Sequence, residues 1–339
     1  MNNKKFDVFA IGNAIVDVIA DADESLLERV NVAKGGMRLI DANEAREIRN
    51  LMGKAVETPG GSSANAIAGV ASLGGRTAFS GKLGKDQPCE IFLDSLRAQG
   101  TRAALTVDSG FETGRCLILV TPDAERSMLA CPGASLHAGP EDIDIDILQQ
   151  SKITLVEGYI WSYEKGRKIL ETVIESSKTS GAKVALSLPN PEAITPARDE
   201  IFAQLENDID IIFGNEEETL ALYGVDAFDQ AVRMARGNNY VAALTRSEKG
   251  STLVHGDDVH EIPITPVHAV DATGAGDLYA AGLLYGLSQG WQLPRCGALA
   301  SQTSANIVAQ YGGQPRTSLA SLVEKVGNSP VAHSSLNSG

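Results

Sequence analysis

Cysteine is scarce and scattered in this chain. Only Cys89, Cys116, Cys131 and Cys296 occur in 339 residues, with no Cys-x-x-Cys pair, which excludes a disulfide framework and a cysteine-built zinc site. Basic residues are also in deficit, with 29 Lys and Arg against 43 Asp and Glu for a net charge of −14. A surface this acidic repels nucleic-acid phosphates and anionic lipid. The same field repels ATP, so any phosphate chemistry here requires a local positive site. No apolar run approaches the ~18 residues of a membrane span. Lys4 and Lys5 precede an apolar stretch, as in a signal peptide, but Asp7, Asp17 and Asp21 interrupt it and no small-residue cleavage pattern follows. A reduced, cytoplasmic protein with no nucleic-acid and no membrane partner is the expectation.

Apolar residues are plentiful, at 43%, enough for a buried core and too many for a disordered chain. At ~150 residues per domain the length suggests two units, whereas the pattern favours one. Phe6–Ile11 reads as a buried strand, followed by Ile15–Ala20 and residues 35–40; Ala42–Met52 and Ser62–Leu73 have helical spacing. Residues 113–131 hold two β-like runs around a Thr121–Ala124 turn. Strands and helices then alternate: Ile153–Glu157, Glu164–Lys178, Lys183–Leu188, Asp199–Leu205, Ile209–Phe213, Glu216–Tyr223 and Tyr240–Thr245. Ser251–His255 and Val259–Ile264 form a hairpin pattern, and the end is helical over Gly274–Ser288, Leu293–Ala309 and Ser318–Val326. Glu141–Gln150 has a period of two, but its Pro-Glu-Asp start favours a helix N-terminus. Alternation of this kind predicts an α/β fold with a parallel sheet covered on both faces. One domain over residues 1–330 is expected, with a polar tail at 331–339.

The segment Val270–Gly282 (VDATGAGDLYAAG) is the most informative. Its Thr273-Gly274-Ala275-Gly276 turn runs straight into a helix of small and apolar residues. Glycines there remove the Cβ atoms that would keep a phosphate off the backbone, and a helix start offers unpaired N–H groups with a partial positive charge. Asp277 falls in the first helical turn. Standing alone it could simply complement the helix dipole. A dinucleotide fingerprint would need a third glycine where Tyr279 stands, and no segment fits the GxxxxGK[ST] phosphate loop.

These residues resemble the ribokinase-like (phosphofructokinase B type) carbohydrate and nucleoside kinases. Asp271–Asp277 (DATGAGD) is similar to their D-T-x-G-A-G-D signature, with Ala272 in the place of Thr. Pro59–Asp86 looks like their Gly-Gly turn opening a helix, and Asn215–Glu218 matches N-x-x-E. The resemblance implies a three-layer α/β/α fold with a small β lid from about residues 15–40 and 113–131. It makes Asp277 the base for the attacking hydroxyl and the amides of Gly274, Ala275 and Gly276 the donors to the transferred phosphoryl group. It implies ATP and Mg²⁺, with Asn215 and Glu218 orienting water on the metal, and K⁺ held by backbone oxygens around Asp271 and near Gly312-Gly313. For the nucleotide base, Thr245 and Gly250 carry over from a T-x-G-x-x-G segment in which Ser247 replaces the first glycine.

Substrate choice is expected near the first strand's end. Asn13 and Asp17 have the G-N-x-x-x-D spacing, which resembles adenosine kinases and is shared by some fructokinase-like members; an ionised Asp17 can accept bonds from adjacent hydroxyls. Gly60, Gly61 and Asn65 match the substrate-side turn and helix, Met37, Leu39, Tyr159 and Trp161 are candidate walls, and Arg126 is a candidate lid contact with the phosphates. The resemblance thus implies ATP-dependent phosphorylation of a nucleoside 5′-hydroxyl, adenosine first. A fructose or ribose kinase, and a non-catalytic ligand-binding protein on the same fold, are the alternatives. The oligomeric state stays open.

Overall fold

In β1 (Phe6–Ile11), Val8, Phe9 and Ala10 have no exposed surface, so this strand is buried on both faces. Alternation along the strand sends Val8 and Ala10 into one helix-covered core with Ile67, Val70 and Leu278, and Phe9 and Ile11 into another with Ile169 and Val173. The computed structural model describes residues 4–123 and 125–327. The polar tail and Ala124 lie outside them.

The other strands are β2 (Ile15–Asp21), β3 (Met37–Leu39), β4 (Val56–Gly60), β5 (Thr77–Gly84), β6 (Arg102–Asp108), β7 (Thr113–Val120) and β8 (Arg126–Gly133), then β9 (Ser151–Glu157), β10 (Lys183–Ser187), β11 (Ile211–Asn215), β12 (Val241–Thr245), β13 (Ser251–His255) and β14 (Asp258–Ile262). Eight of these join β1 in a nine-stranded sheet in the order β14-β13-β12-β11-β10-β9-β1-β5-β6. Its pairings are parallel from β12 through β6, and the β13–β14 hairpin closes one edge antiparallel. Helices on both faces make this the three-layer α/β/α arrangement that the alternation predicts. Asn13 follows the carboxyl end of β1, and Glu157, Asn215 and Thr245 terminate β9, β11 and β12. They therefore share the sheet edge at which α/β folds collect ligands.

A second sheet, ordered β3-β8-β7-β2-β4, has one face packed by two short helices through Val18, Leu27, Ile48, Leu117 and Leu129. Alternation along β2 places Asp17 on the opposite face, beside Cys116 of β7 and Thr58 of β4. β4 is a strand that composition conceals: Pro59 and Gly60 read as a turn, yet Pro is tolerated on an edge strand, where its missing N–H breaks no ladder. The helix expected over Asp199–Leu205 instead runs Pro191–Asn207. Asn190 caps it, and the internal Pro196 masks its first half. The period-two segment resolves into a 3-10 turn at Pro140–Asp142 and a short helix, Ile145–Gln149, capped by Asp144. No helix among the described residues is long and apolar enough to cross a membrane.

Small residues set how closely the helices in front of the sheet approach. A Cβ on Gly69, in the Ser62–Ser72 helix, would lie 2.5 Å from both Ala281 Cβ and Leu278 Cδ1 of the Ala275–Ser288 helix. This contact holds the two helix starts side by side. Gly69→Val should destabilise the fold by about 1–3 kcal/mol through overpacking, and should depress turnover further by drawing the two starts apart. Urea unfolding of a Gly69→Val variant as stable as the parent would show that Gly69 does not set this spacing.

Candidate active site

Asp277 lies at the front of the Ala275–Ser288 helix and is held from the neighbouring helix. The Ser62 hydroxyl donates to its Oδ1 at 2.6 Å, and the Asn65 amide donates to its Oδ2 at 2.9 Å. Asn65 Oδ1 is buried without a partner. Burial raises the Asp277 carboxyl to about 6; the Ser62 and Asn65 bonds pull it back down, and the charge of Glu157 pushes it up. Gly274, the N-cap, has φ +77° and packs its Cα side against Gly313, so a side chain there would be strained and crowded. Among the described residues, the amides of Gly274 and Gly276 have no protein acceptor, whereas Ala275 N–H donates to Ala272 O at 3.2 Å. A Cβ on Gly276 would meet nothing within 4 Å. The turn is open to a ligand on that side.

Two cavities meet here. One, of about 260 Å³, is lined by Ser62, Asn215, Glu218, Thr245, Gly276 and Asp277. The other, of about 320 Å³, is lined by Thr245, Gly250, Ile264, Ala275, Gly276 and Val308 among others. Thr245, Gly276 and Tyr279 border both. Asn215 caps the Glu216–Tyr223 helix in a reciprocal box: its Oδ1 accepts from Glu218 N, and Glu218 Oε2 accepts from Asn215 N, each at 2.9 Å. Burial raises Glu218 to about 7, the Asn215 amide lowers it, and the charges of Asp277 and Glu217 raise it further. Ser247 takes φ +49°, the left-handed region that favours the glycine it replaces.

On the small sheet, Asp17 is 9% exposed and has no protein hydrogen-bond donor among the described residues. Burial, then the charge of Asp277, raises it to about 7, against the pull of Arg126. A Cβ on Gly60 would sit 2.3 Å from the Asp17 carboxylate, and one on Gly61, at φ +96°, 2.5 Å from Asn13 O. The Gly-Gly pair thus lets β4 close on both residues. The Asn13 side chain itself is engaged within the protein: its amide donates to Glu157 Oε1, and its Oδ1 accepts from the Tyr163 hydroxyl. Glu157, 2% exposed, also accepts from Ser63 N at 3.1 Å and Ser63 Oγ at 2.6 Å. Ser62, Ser63, Glu157 and Tyr163 escape the sequence reading; only the place of the two serines, directly after Gly60-Gly61, could have signalled them. Arg126 Nη2 lies 3.0 Å from Asp271 Oδ2. Trp161 belongs to the core rather than a wall, Tyr159 lines the smaller cavity, and Met37 and Leu39 are exposed on β3.

A layered parallel sheet with a smaller sheet set at its ligand edge is the ribokinase-like architecture. The family model described as pfkB family carbohydrate kinase matches residues 5–319, and the chain belongs to that family of ATP-dependent phosphotransferases. The structure of a probable sugar kinase protein from Rhizobium etli CFN 42 is 35% identical, with a TM-score of 0.90 over 96% of this chain and 99% of that one. The adenosine kinase from Sinorhizobium meliloti is 40% identical, with a TM-score of 0.89 over 95% of this chain and 99% of its own. A 5-dehydro-2-deoxygluconokinase from Geobacillus thermodenitrificans is 27% identical over 292 residues, 81% of this chain and 86% of that protein.

Because Asp277 titrates near 6 when folded and near 4 when unfolded, the folded state binds the extra proton between those values. The associated stability is full below the unfolded value and is lost as pH rises through about 6. The ligand-free Asp277→Asn variant should therefore exceed the parent in stability, with the gap growing by about 1 kcal/mol from about pH 5 to about pH 8. A gap in denaturation midpoints that stays constant with pH would exclude the carboxylate charge as its source.

Proposed function

We propose that this kinase transfers the γ-phosphoryl group of ATP to the 5′-hydroxyl of a nucleoside, adenosine first, giving ADP and AMP. The observation that carries the acceptor is Asp17. A buried carboxylate without a protein donor calls for hydrogen bonds from its ligand, and two adjacent ring hydroxyls supply them. The 40% identity to an adenosine kinase over nearly the full length of both chains supports the same reading. Asn13 serves as a brace, joining the end of β1 to Glu157 and Tyr163 while Gly60 and Gly61 let Asp17 reach the acceptor.

In this reading Asp277 accepts the proton of the attacking hydroxyl, and Ser62 and Asn65 hold its carboxylate in line. Burial helps, since a base raised to about 6 is stronger than an ordinary carboxylate and still ionised at neutral pH. The amides of Gly274 and Gly276, with Ala275 between them, receive the charge that grows on the transferred group. The apolar cavity bordered by Ile264 and Val308 takes the nucleotide base, with Thr245 and Gly250 at its rim.

The residues present fit Mg²⁺. Glu218 and Asp277 face one cavity, where the Asp277 charge helps to raise Glu218, while no group of three or more His, Cys, Asp or Glu suited to a metal exists among the described residues. That donor set suits an ion held largely through water and phosphate. Mg²⁺ would supply charge neutralisation on the phosphates, with Glu218 and Asn215 ordering its waters.

An ADP-release screen over nucleosides, fructose, ribose and deoxygluconate-type acids tests the acceptor. Adenosine should turn over, with kcat/KM falling as pH drops below about 6 as Asp277 takes up its proton. Asp277→Asn should lose about 10²–10⁴-fold in kcat, and Asp17→Ala should mainly raise KM. Turnover of fructose or ribose with none on any nucleoside would replace this reading by a sugar kinase, the class of the 35% identical neighbour.

A further inference from the structure

The Ser62–Ser72 helix, whose first turn carries Ser62 and Asn65, begins at an N-cap with no side chain to serve it. That N-cap is Gly61, at φ +96°, and a Cβ there would lie 2.5 Å from Asn13 O, so a capping serine or aspartate does not fit. The missing acceptor comes from another element. Glu157, the last residue of β9 and 2% exposed, accepts on Oε2 the Ser63 N–H at 3.1 Å and the Ser63 hydroxyl at 2.6 Å. The same oxygen accepts Asn13 N–H at 3.3 Å, and Oε1 accepts the Asn13 side-chain amide. A Cβ on Gly12 would lie 2.0 Å from Ser63 Oγ and 2.5 Å from Glu157 Oε2, so the ends of β1 and β9 and the helix start meet with no room between them. A neutral acceptor would cap a helix at less cost than a buried carboxylate. Here four donors and the positive end of a helix converge on one group, which an acid matches better than a hydroxyl.

We propose that Glu157 is a positioning residue for phosphoryl transfer: it caps this helix from the end of β9, which fixes Ser62 and Asn65 on the two oxygens of Asp277, and its charge stands behind that base. Ser62, Ser63 and Asn65 share the first helical turn, so a displacement at Ser63 passes to both donors. Those donors hold Asp277 at 2.6 and 2.9 Å, and a reacting group misplaced by about 1 Å loses about 10²-fold in rate. Glu157 also reaches Asp277 through space, and its charge adds to the burial that keeps a proton on that carboxyl. Tyr159 and Tyr163 face Glu157 as well; burial, with that charge, raises both, so they stay neutral over the working range of pH. Asp17 and Glu218 feel the charge of Asp277, and Arg126 pulls on Asp17. A titration that reports Glu157 must therefore follow Asp277 alone.

The inference rests on Asp277 as the base for the acceptor hydroxyl. ADP release by the full chain on its best acceptor is compared for the parent, Glu157→Ala, Asp277→Asn and the double variant, at about pH 8, where Asp277 is ionised. Glu157→Ala should lose about 10–10²-fold in kcat from the parent, and less than about threefold from Asp277→Asn, which has no base left to position. Glu157→Gln keeps the shape and is accommodated when the Asn13 amide turns over, so its kcat should stay within about threefold of the parent. A readout without turnover is the ligand-free gap in denaturation midpoints between the parent and Asp277→Asn. In the Glu157→Gln background that gap should be smaller and should stop growing at lower pH, because Asp277 then holds its proton less tightly. The same gap decides the matter if Glu157→Ala does not fold. A folded Glu157→Ala with the parent's kcat, a loss undiminished on Asp277→Asn, or an unchanged gap would each overturn the proposal. An Asp277→Asn variant as active as the parent would instead remove the base assignment, and the proposal with it. With no acceptor turned over, the functional reading fails on its own, and the midpoint gap still decides whether Glu157 bears on Asp277.

Discussion

Asp277 is a carboxylate half-buried where two helix starts converge, and its nearest partners are a hydroxyl and an amide rather than a lysine or arginine. Desolvation makes such a group costly, so it persists only because dipoles are aimed at it from fixed positions. Those positions depend on the Ser62–Ser72 and Ala275–Ser288 helices lying almost in backbone contact, which Gly69 and Ala281 permit. Both helices in turn rest on β1 and its neighbours, whose side chains alternate between two cores. The same helix that carries Asp277 opens with the Gly274 turn, so one packing contact sets the carboxylate and the anion-binding amides together.

The carboxylates sort by their partners. Asp7 is partly desolvated, but Arg76 and Lys152 outweigh that burial and hold it at about 2. Asp271 is likewise held below the ordinary range, since the Gly312 and Thr273 donors and Arg126 outweigh its burial. These two are structural ties. Asp17, Asp277 and Glu218 have no such compensation and are all raised, to about 7, 6 and 7. Leaving a buried Asp17 and half-buried Asp277 and Glu218 without a neutralising cation costs the free protein stability, which any ligand that satisfies them would restore. The charge of −14 is thus compatible with a nucleotide. A helix start such as the one after Gly274 can offer a positive field to phosphate through backbone amides, without a basic surface.

Residues whose role is local were legible in advance. Gly274 and Gly276 stand out as a turn opening a helix, and Gly60 and Gly61 as a match to the Gly-Gly turn; that a Cβ there would meet Asp17 and Asn13 O is visible only in the structure. β4 was hidden because an edge strand tolerates the proline and glycine that ordinarily mark a turn. Trp161 was ambiguous for the opposite reason: an aromatic suits a core and a binding wall equally well, and only its packing in the core separates the two.

The sequence by itself determined the alternating fold, the anion turn and the acid at its helix start, since each rests on periodicity or on a short contiguous pattern. Tertiary structure decided which way the polar side chains turn. Asn13 meets Glu157 and Tyr163 across 144 and 150 residues, and Arg126 meets Thr273 across 147. No local pattern encodes such pairs, because each partner's position depends on how sheets and helices far apart in the chain are stacked. That is why the spacing of Asn13 and Asp17 marks a site without revealing that one amide is tied inside while the carboxylate is left free for a ligand.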